Sequence, residues 1–299
     1  MLSNTHFKVV KFEEDATKIF PNTEIKGGVA ITFYDREQNF GAIEEFIPDE
    51  KIRSIANHFR NDPENNLSSI VFSGRSDLKF SELFIKHYPQ SINDRIEAIR
   101  MSHPDVTALS PNEEYELKSS TFEVLPYVFL DDEPQSSNDY YKILGLVSSK
   151  RCYKWIHKKY MVPRYVVNNV DSYKVLLPES NGSGKFGETL STPVVVAPGV
   201  SSTPTFIGIG NFTTQQEAEN LLKYLSTKFA RALLGVLKKT QHNPASVWAY
   251  IPIQDFTKAS DIDWTQKIDD IDKQLYGKYN FSLEEIDFIE KKVLSMNAD

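Results

Sequence analysis

The clearest structural signal in the chain is residues 214–237, TQQEAENLLKYLSTKFARALLGVL, which predict one amphipathic helix of more than about five turns. Thr214 and Glu217 have the spacing of a capping box, in which each side chain bonds the backbone N–H of the other residue. Apolar residues then recur at helical spacing, at Ala218, Leu221, Leu222, Leu225, Phe229, Ala232, Leu233, Val236 and Leu237. A stripe of this width indicates a helix that packs against a core.

The sequence around this helix is typical of short strands joined by turns. Runs rich in β-branched and aromatic residues alternate with Gly, Pro, Ser and Asn. The predicted strands are residues 143–147, 162–167, 173–177, 193–197, 205–209 and 247–252. Two more helices are predicted near the C-terminus, each with a capping box, beginning at Asp263 and at Ser282.

The region before residue 131 predicts a different set of elements. Ile31–Tyr34 is apolar enough to be a strand buried in a sheet. A helix is predicted from Asp49 to about Asn61, and shorter elements at 69–72, 80–87 and 120–129. Residues 131–138, DDEPQSSN, contain no apolar residue and many turn formers, which predicts a domain boundary, so we divide the chain into 1–134 and 135–299.

Composition favours a cytoplasmic protein with a well-developed core. The chain has 299 residues, of which 40% are hydrophobic and 25% charged, values typical of globular proteins. No apolar run approaches the roughly 18 residues of a membrane helix, and the N-terminus lacks a signal-peptide pattern. With one cysteine, Cys152, and no metal-type histidine spacing, the sequence predicts neither an internal disulfide nor a structural metal site.

Charge is distributed unevenly along the chain. The net charge is −7, yet residues 150–254 carry 13 Lys and Arg against 5 Asp and Glu, and no acid lies between Asn220 and Gln254. A basic block in an acidic chain is typical of a surface that meets phosphates, so double-stranded DNA is the predicted partner. The alternative is a solvated polar face without a ligand.

The predicted DNA contacts come from three parts of this block. Cations and aromatic rings are interleaved over ten residues near its start, a mix suited to phosphate contact and base stacking. The residues here are Lys150, Arg151, Lys154, Trp155, Lys158 and Lys159, followed by Arg164. Lys185 lies in the glycine-rich loop NGSGKFG, which lacks the Walker pattern of an NTPase. On and beside the long helix the candidates are Thr227, Lys228, Arg231, Lys238 and Lys239.

A second chemical pattern suggests a nuclease. Pro104-Asp105 followed by Glu116-Leu117-Lys118 matches the PD…E-x-K arrangement, in which carboxylates hold Mg²⁺ and a lysine polarises the attacking water. The pattern is degenerate and arises readily by chance in a chain with 41 acids and 34 bases. A Mg²⁺-dependent endonuclease using Asp105, Glu116 and Lys118 therefore remains an alternative.

Five segments carry a resemblance to a known family. They are 19–29 (IFPNTEIKGGV), 145–154 (GLVSSKRCYK), 224–231 (YLSTKFAR), 248–256 (WAYIPIQDF) and 263–279 (DWTQKIDDIDKQLYGKY). Together they resemble the C-terminal half of adenine-N6 DNA methyltransferases of restriction–modification systems, the type II and IIG enzymes with a TaqI-like specificity domain. The resemblance spans almost the whole chain.

The resemblance implies an α/β chain in which a partial methyltransferase-fold region, 1–134, precedes a mixed α+β target-recognition domain, 135–299. It implies that Phe33, with Tyr34 second, stacks on the target base when that base leaves the duplex. The glycine-rich S-adenosylmethionine loop and the Asn-Pro-Pro-Tyr motif do not occur in this sequence; the nearest match is Asn243-Pro244-Ala245. No catalytic residue is therefore expected in this chain, and S-adenosylmethionine is expected only in the complete enzyme. A catalytic methyltransferase half is the implied partner, and a scaffold subunit for such a half is a further alternative.

Overall fold

The computed structural model describes residues 3–23, 25, 28–43, 45–59, 65–72 and 75–296, which form a mixed α/β structure. Parts of the 19–29 segment, Lys26-Gly27 among them, and the predicted helix end at 61–63 lie outside the described residues. In chain order the elements are β1 Phe7–Glu13, β2 Val29–Tyr34, α1 Glu50–Asn57, β3 Val71–Phe72, β4 Leu78–Phe80, α2 Glu82–His87, α3 Gln90–Arg100, α4 Thr121–Val124, β5 Tyr140–Val147, β6 Lys150–His157, β7 Met161–Pro163, β8 Tyr173–Pro178, β9 Val194–Val196, β10 Val200–Ser202, β11 Phe206–Phe212, α5 Gln215–Ser226, α6 Lys228–Leu237, α7 Ile268–Lys278 and α8 Leu283–Lys292.

The strands form several small sheets. Their orders are β1-β2, β10-β5-β6, β3-β11-β8-β9 and β4-β7. The β10-β5 pair is parallel, and the other pairs are antiparallel. No helix in the described part of the chain is both long and apolar enough to span a bilayer.

The larger core lies where α1, α5, α6, α7 and α8 pack with the β3-β11-β8-β9 sheet. Ile55 and Leu67 from the first half of the chain are fully buried in it beside Ile207 and Leu233 from the second half. The β3-β11 pair joins the two halves directly, with Phe72 opposite Gly208.

The second core also takes residues from both sides of the 134/135 division. It includes Phe80 and Leu125 from the first half and Ile143 and Ile156 from the second. The β4-β7 pair again crosses the division, with Phe80 opposite Met161. The acidic segment 131–138 is therefore a connection within one packed structure. Neither of these two cores lies wholly on one side of it.

The helix predicted over 214–237 is divided into α5 and α6 at Thr227. Thr227 has φ −64° and ψ 151°, an extended conformation that ends one helix and begins the next. Its hydroxyl accepts the N–H of Ala230 at 3.1 Å, so it is the N-cap of α6. The carboxylate of Asp272 accepts the N–H groups of Lys228 at 3.0 Å and Phe229 at 2.8 Å. The prediction of one continuous helix was therefore wrong. The apolar residues keep their helical spacing across Thr227, so the sequence pattern does not reveal the break.

Other secondary-structure predictions had mixed outcomes. Helix α8 has the capping box predicted at Ser282, and α5 has the one predicted at Thr214. Residues 247–252 do not form a strand; Ala245–Trp248 is a 3₁₀ turn after Pro244, with Trp248 fully buried. The strand predicted at 162–167 ends at Pro163, whereas β6 and α3 were not predicted.

The β1-β2 hairpin differs most from the expected environment. β2 pairs with β1 through Phe33 opposite Lys8, and the Phe33 and Tyr34 side chains are 44% and 52% exposed. The expectation of a strand buried in a sheet was therefore wrong for the described residues, since β2 has a strand on one side only.

Candidate nucleic-acid interface

The start of the basic block is one strand of a tight hairpin. Strands β5 and β6 pair from Tyr140 opposite His157 to Val147 opposite Lys150, which leaves Ser148 and Ser149 as the turn. Both serines have positive φ, 47° and 63°, as a two-residue hairpin turn requires. The carboxylate of Glu123 accepts the N–H of Ser148 at 2.7 Å and holds the turn against α4.

Alternation along the hairpin separates two faces. One face packs into the second core through Ile143 and Ile156. Position 145 lies on the same face, and it requires a glycine because a Cβ there would overlap the ring of Phe122.

The opposite face carries a lysine and four rings that are partly exposed, while Leu144 on the same face is buried in a third core that Tyr153 also contacts. We call this face the cation–aromatic face, defined by Tyr140, Lys142, Tyr153, Trp155 and His157. Lys142 Nζ lies 4.6 Å from the centre of the Tyr153 ring and 5.1 Å from that of Trp155. The rings of Tyr140 and His157 are 5.0 Å apart. Burial raises the pKa of Tyr153, so this phenol stays neutral and adds no negative charge.

Lys142 is the cation of this face that sequence reasoning missed. It lies outside the basic block in sequence and joins it through the β5-β6 register, opposite Trp155. Recognising residues 150–157 as a strand with period-two alternation would have provided this signal.

The predicted cations of β6 and the turn after it have different surroundings. Lys154 forms an ion pair with Asp131 at 2.5 Å, and its side chain is only 13% exposed. Lys150 and Lys159 are exposed, and Lys158 lies 5.2 Å from the ring centre of Tyr141. The cations best placed for phosphates are therefore Lys150, Lys158 and Lys159.

Arg151 is held by the protein itself. Its guanidinium donates to the carbonyl oxygens of Thr192 at 2.6 Å and Ser191 at 2.9 Å, and it lies 5.3 Å from the ring centre of Phe206. It borders a cleft of about 600 Å³ that is also lined by Glu123 and Glu179. Two carboxylates beside one arginine make this cleft unsuitable for a phosphate.

The candidates around α6 are largely turned into the fold. Thr227 and Arg231 are buried, and Arg231 donates to the carbonyl of Ser226 through Nε at 3.4 Å and Nη2 at 3.3 Å. Lys238 is 5% exposed and donates to the carbonyl of Asn181 at 2.6 Å. Burial lowers the pKa of Arg231 to about 10, which still leaves it charged at neutral pH. These three assignments to DNA binding are corrected, because backbone carbonyls satisfy the groups inside the protein.

Lys228 and Lys239 flank the same helix. Lys228 Nζ is ion-paired with Glu290, and its side chain is 14% exposed. Lys239 is exposed and donates to the carbonyl of Gly235 at 3.1 Å, as cations do at helix C-termini. The acid-free stretch thus supplies charge to helix ends as well as to the surface.

The glycine-rich loop is closed by a carboxylate. Glu188 accepts the N–H of Ser183 at 2.9 Å and that of Gly184 at 3.1 Å. The N–H groups that a phosphate would use are therefore occupied. Lys185 is exposed and has no ion pair within the described residues, so it remains a candidate phosphate contact.

The residues of the nuclease pattern do not assemble a metal site. Glu116 is 6% exposed and is paired with Lys118 at 2.8 Å, Arg164 at 3.6 Å and Arg75. Burial opposes ionisation, but these cations hold the pKa of Glu116 below its usual value. Asp105 is exposed, and no group of three metal-ligating side chains occurs among the residues described. A carboxylate neutralised by three cations is a poor metal ligand.

The aromatic residues Phe33 and Tyr34 of the β1-β2 hairpin are accessible to solvent. The Phe33 ring meets Phe40 edge-on at 6.1 Å, and Lys8 Nζ lies 5.4 Å from the centre of the Phe33 ring. An exposed ring beside a cation is suited to stacking on a base.

No protein-family model matches this chain, and the comparison with curated proteins found no match.

Proposed function

We propose that this chain binds duplex DNA as the target-recognition part of an adenine-N6 DNA methyltransferase of a restriction–modification system. The observation that carries DNA binding is the cation–aromatic face together with Lys150, Lys158 and Lys159 at the two ends of β6. Lysines at the rim neutralise phosphates, and half-exposed rings offer surfaces to bases.

The methyltransferase assignment is supported by the sequence resemblance and by the β1-β2 hairpin. Val10 and Ile31 are 61% and 44% exposed, in addition to Phe33 and Tyr34. A two-stranded hairpin with apolar side chains in water is marginally stable, and an open strand edge is a template for further pairing. A catalytic half that extends this sheet would cover the hairpin, bind S-adenosylmethionine and place the target base near Phe33.

In this arrangement the chain's own residues have three roles. The lysines hold the duplex through its phosphates, loops of residues 135–299 read base edges, and Phe33 stacks on the displaced base. Methyl transfer itself belongs to the other half.

Salt-dependent duplex binding tests the proposal. Lys158→Gln combined with Lys159→Gln should weaken binding to all duplexes alike. The slope of log K against log salt should become shallower by about 0.9 for each phosphate that is no longer neutralised. Fluorescence anisotropy with a labelled 30-base-pair duplex from low to physiological salt measures this slope.

The matched control is Lys273→Gln with Lys291→Gln, two exposed lysines on α7 and α8 that pair with acids of their own helices. This control removes the same charge and should keep the wild-type slope. An equal effect of both double variants would reject a localised interface. No duplex affinity of the wild-type chain at low salt would reject DNA binding and favour the scaffold alternative.

A further inference from the structure

Three consecutive apolar side chains stand in solvent between β7 and β8. Tyr165, Val166 and Val167 are 47%, 102% and 71% exposed. Single exposed apolar residues are ordinary, but a contiguous exposed run marks a contact site. The core has not recruited these side chains, although both flanking strands belong to sheets.

Hydrogen bonds fix both ends of this loop. The N–H of Arg164 donates to the carbonyl of Asp77 at 2.6 Å, and its Nε donates to that of Ser76 at 3.2 Å. Asn168 closes the other end, since its Nδ2 donates to the carbonyl of Tyr165 at 3.1 Å and its Oδ1 accepts the N–H of Val170 at 3.1 Å. The exposed tip is thus carried by a loop whose two ends are fixed by hydrogen bonds.

Two exposed cations, Arg75 and Lys118, lie beside one anchored end of this loop. No acid occurs from Arg164 to Val170. Arg164, Arg75 and Lys118 all surround one carboxylate, Glu116; the Arg75 and Lys118 side chains are 55% and 41% exposed, whereas that of Arg164 is only 11% exposed. The carboxyl groups of Asp77 and Asp171 both interact with the positive charge of the buried Lys174. Glu113 lies 3.4 Å from Lys118, so cations and acids balance in this region, and the cations most open to solvent beside the tip are Arg75 and Lys118.

The loop is also connected to the cation–aromatic face. The carbonyl of Val170 accepts the N–H of Gly199 at 2.9 Å, and the carbonyl of Gly199 accepts the N–H of Lys142 at 3.1 Å. The end of the loop is therefore two hydrogen bonds from the middle of the proposed DNA-binding face.

We propose that Tyr165–Val167 is an apolar wedge that enters between neighbouring base pairs of bound duplex DNA and kinks it. The inference rests on the proposed DNA binding and adds a deformation to it. Apolar side chains inserted at a base step unstack it, and cations beside them hold the phosphates of the bent duplex. A tip of three residues suits a single step, whereas an interfacial membrane anchor buries a broader apolar face.

The test uses the full chain and a 30-base-pair duplex rich in TA steps, which kink most easily. One adenine beside a central step is replaced by 2-aminopurine, whose fluorescence rises on unstacking, and a second duplex carries a donor and an acceptor dye at its ends. The variant is Val166→Ser with Val167→Ser. Met101→Ser, at a 91% exposed methionine after α3, is the matched control, and Val166→Leu with Val167→Leu keeps the wedge apolar.

Wild type, the Met101 variant and the leucine variant should each raise 2-aminopurine fluorescence at saturation by several-fold and shorten the end-to-end distance. The serine variant should lose both responses. Its dissociation constant for the duplex should rise by less than about tenfold, and its salt slope should stay unchanged, since every phosphate-binding cation is retained. Wild-type binding without either response, or an unchanged serine variant, would reject the wedge and leave DNA binding intact. Absence of all duplex binding would reject both proposals. Sedimentation with anionic phosphatidylglycerol vesicles that depends on Val166 and Val167, without a DNA response, would assign the tip to a membrane surface and also reject the wedge.

Discussion

Asp272 shows how one buried carboxylate organises a helix junction. It is 2% exposed, and its oxygens accept the N–H groups of Lys228 and Phe229 at the start of α6. Burial raises the pKa of Asp272 to about 6, although these N–H groups act against the shift. The positive end of a helix thus offsets only part of the cost of removing the carboxylate from water.

This raised pKa predicts a pH dependence of stability. Between about pH 4 and pH 6 the unfolded chain has released the Asp272 proton while the folded chain retains it, so the free energy of unfolding falls as pH rises. The contribution of Asp272 to this fall is about 3 kcal/mol. Urea denaturation at several pH values should show a smaller fall for Asp272→Asn than for wild type.

Asp77, whose pKa burial also raises to about 6, is present in both proteins, so their difference isolates Asp272. Asp269→Asn removes an exposed acid of the same helix and controls for loss of charge. Identical pH profiles for Asp272→Asn and wild type would contradict the assignment.

Phe33 is the second residue with a direct test. Because its ring is 44% exposed, Phe33→Ala should cost about 1 kcal/mol or less, the value of a surface ring pair. Phe84→Ala, at a fully buried ring stacked 3.9 Å from Phe80, should cost about 3–5 kcal/mol. Thermal or urea unfolding of both variants makes the comparison. Equal losses would place Phe33 in a core and remove it from the proposed base-stacking role.

At the scale of elements, the apolar stripe of α5 packs in the larger core. Leu225 is 1% exposed in the larger core, so Leu225→Ala should leave a cavity and cost about 2–5 kcal/mol. Leu283, at the start of α8, is 86% exposed, and Leu283→Ala is the matched helical control with little expected loss. A neutral Leu225→Ala in urea denaturation would mean that the apolar stripe of α5 is not packed.

The elements also show which signals the sequence carries. Caps are local, so the starts of α1 at Asp49, α5 at Thr214 and α8 at Ser282 are predictable from a few neighbouring residues. The break at Thr227 is not, because Asp272 completes it from 45 positions along the chain. Strand β6 is difficult to predict from the sequence because its many cations obscure the alternation of a strand. Its residues nevertheless face the second core and the cation–aromatic face in turn.

The candidate site was predictable only in part, for a related reason. Lysine composition identifies the basic block, but it does not reveal which side chains find partners within the fold. Lys238 is bonded to the carbonyl of Asn181 and Lys154 to Asp131, both distant in sequence. Exposure of Lys150 and Lys159 follows only from the tertiary structure.

At the scale of the whole molecule, the two larger cores both cross residue 134, and this predicts that the second half cannot fold alone although a small third core lies within it. A fragment of residues 135–299 lacks α1, β3, β4 and the turn before β3, and so lacks Ile55, Leu67 and Phe80 from the two larger cores. It should show no cooperative thermal transition by circular dichroism, whereas the full chain should unfold cooperatively. A sharp transition of the fragment would instead support an autonomous domain at 135–299.

The exposed tip at Tyr165–Val167 has a consequence for proteolysis as well. Chymotrypsin cleaves after aromatic residues, and the Tyr165–Val166 bond lies where the side chains on both sides are open to solvent. A cut there gives pieces 1–165 and 166–299, yet the larger core takes Ile55 from one and Ile207 from the other. The nicked protein would therefore migrate as two bands under denaturing conditions and still elute as one particle on gel filtration.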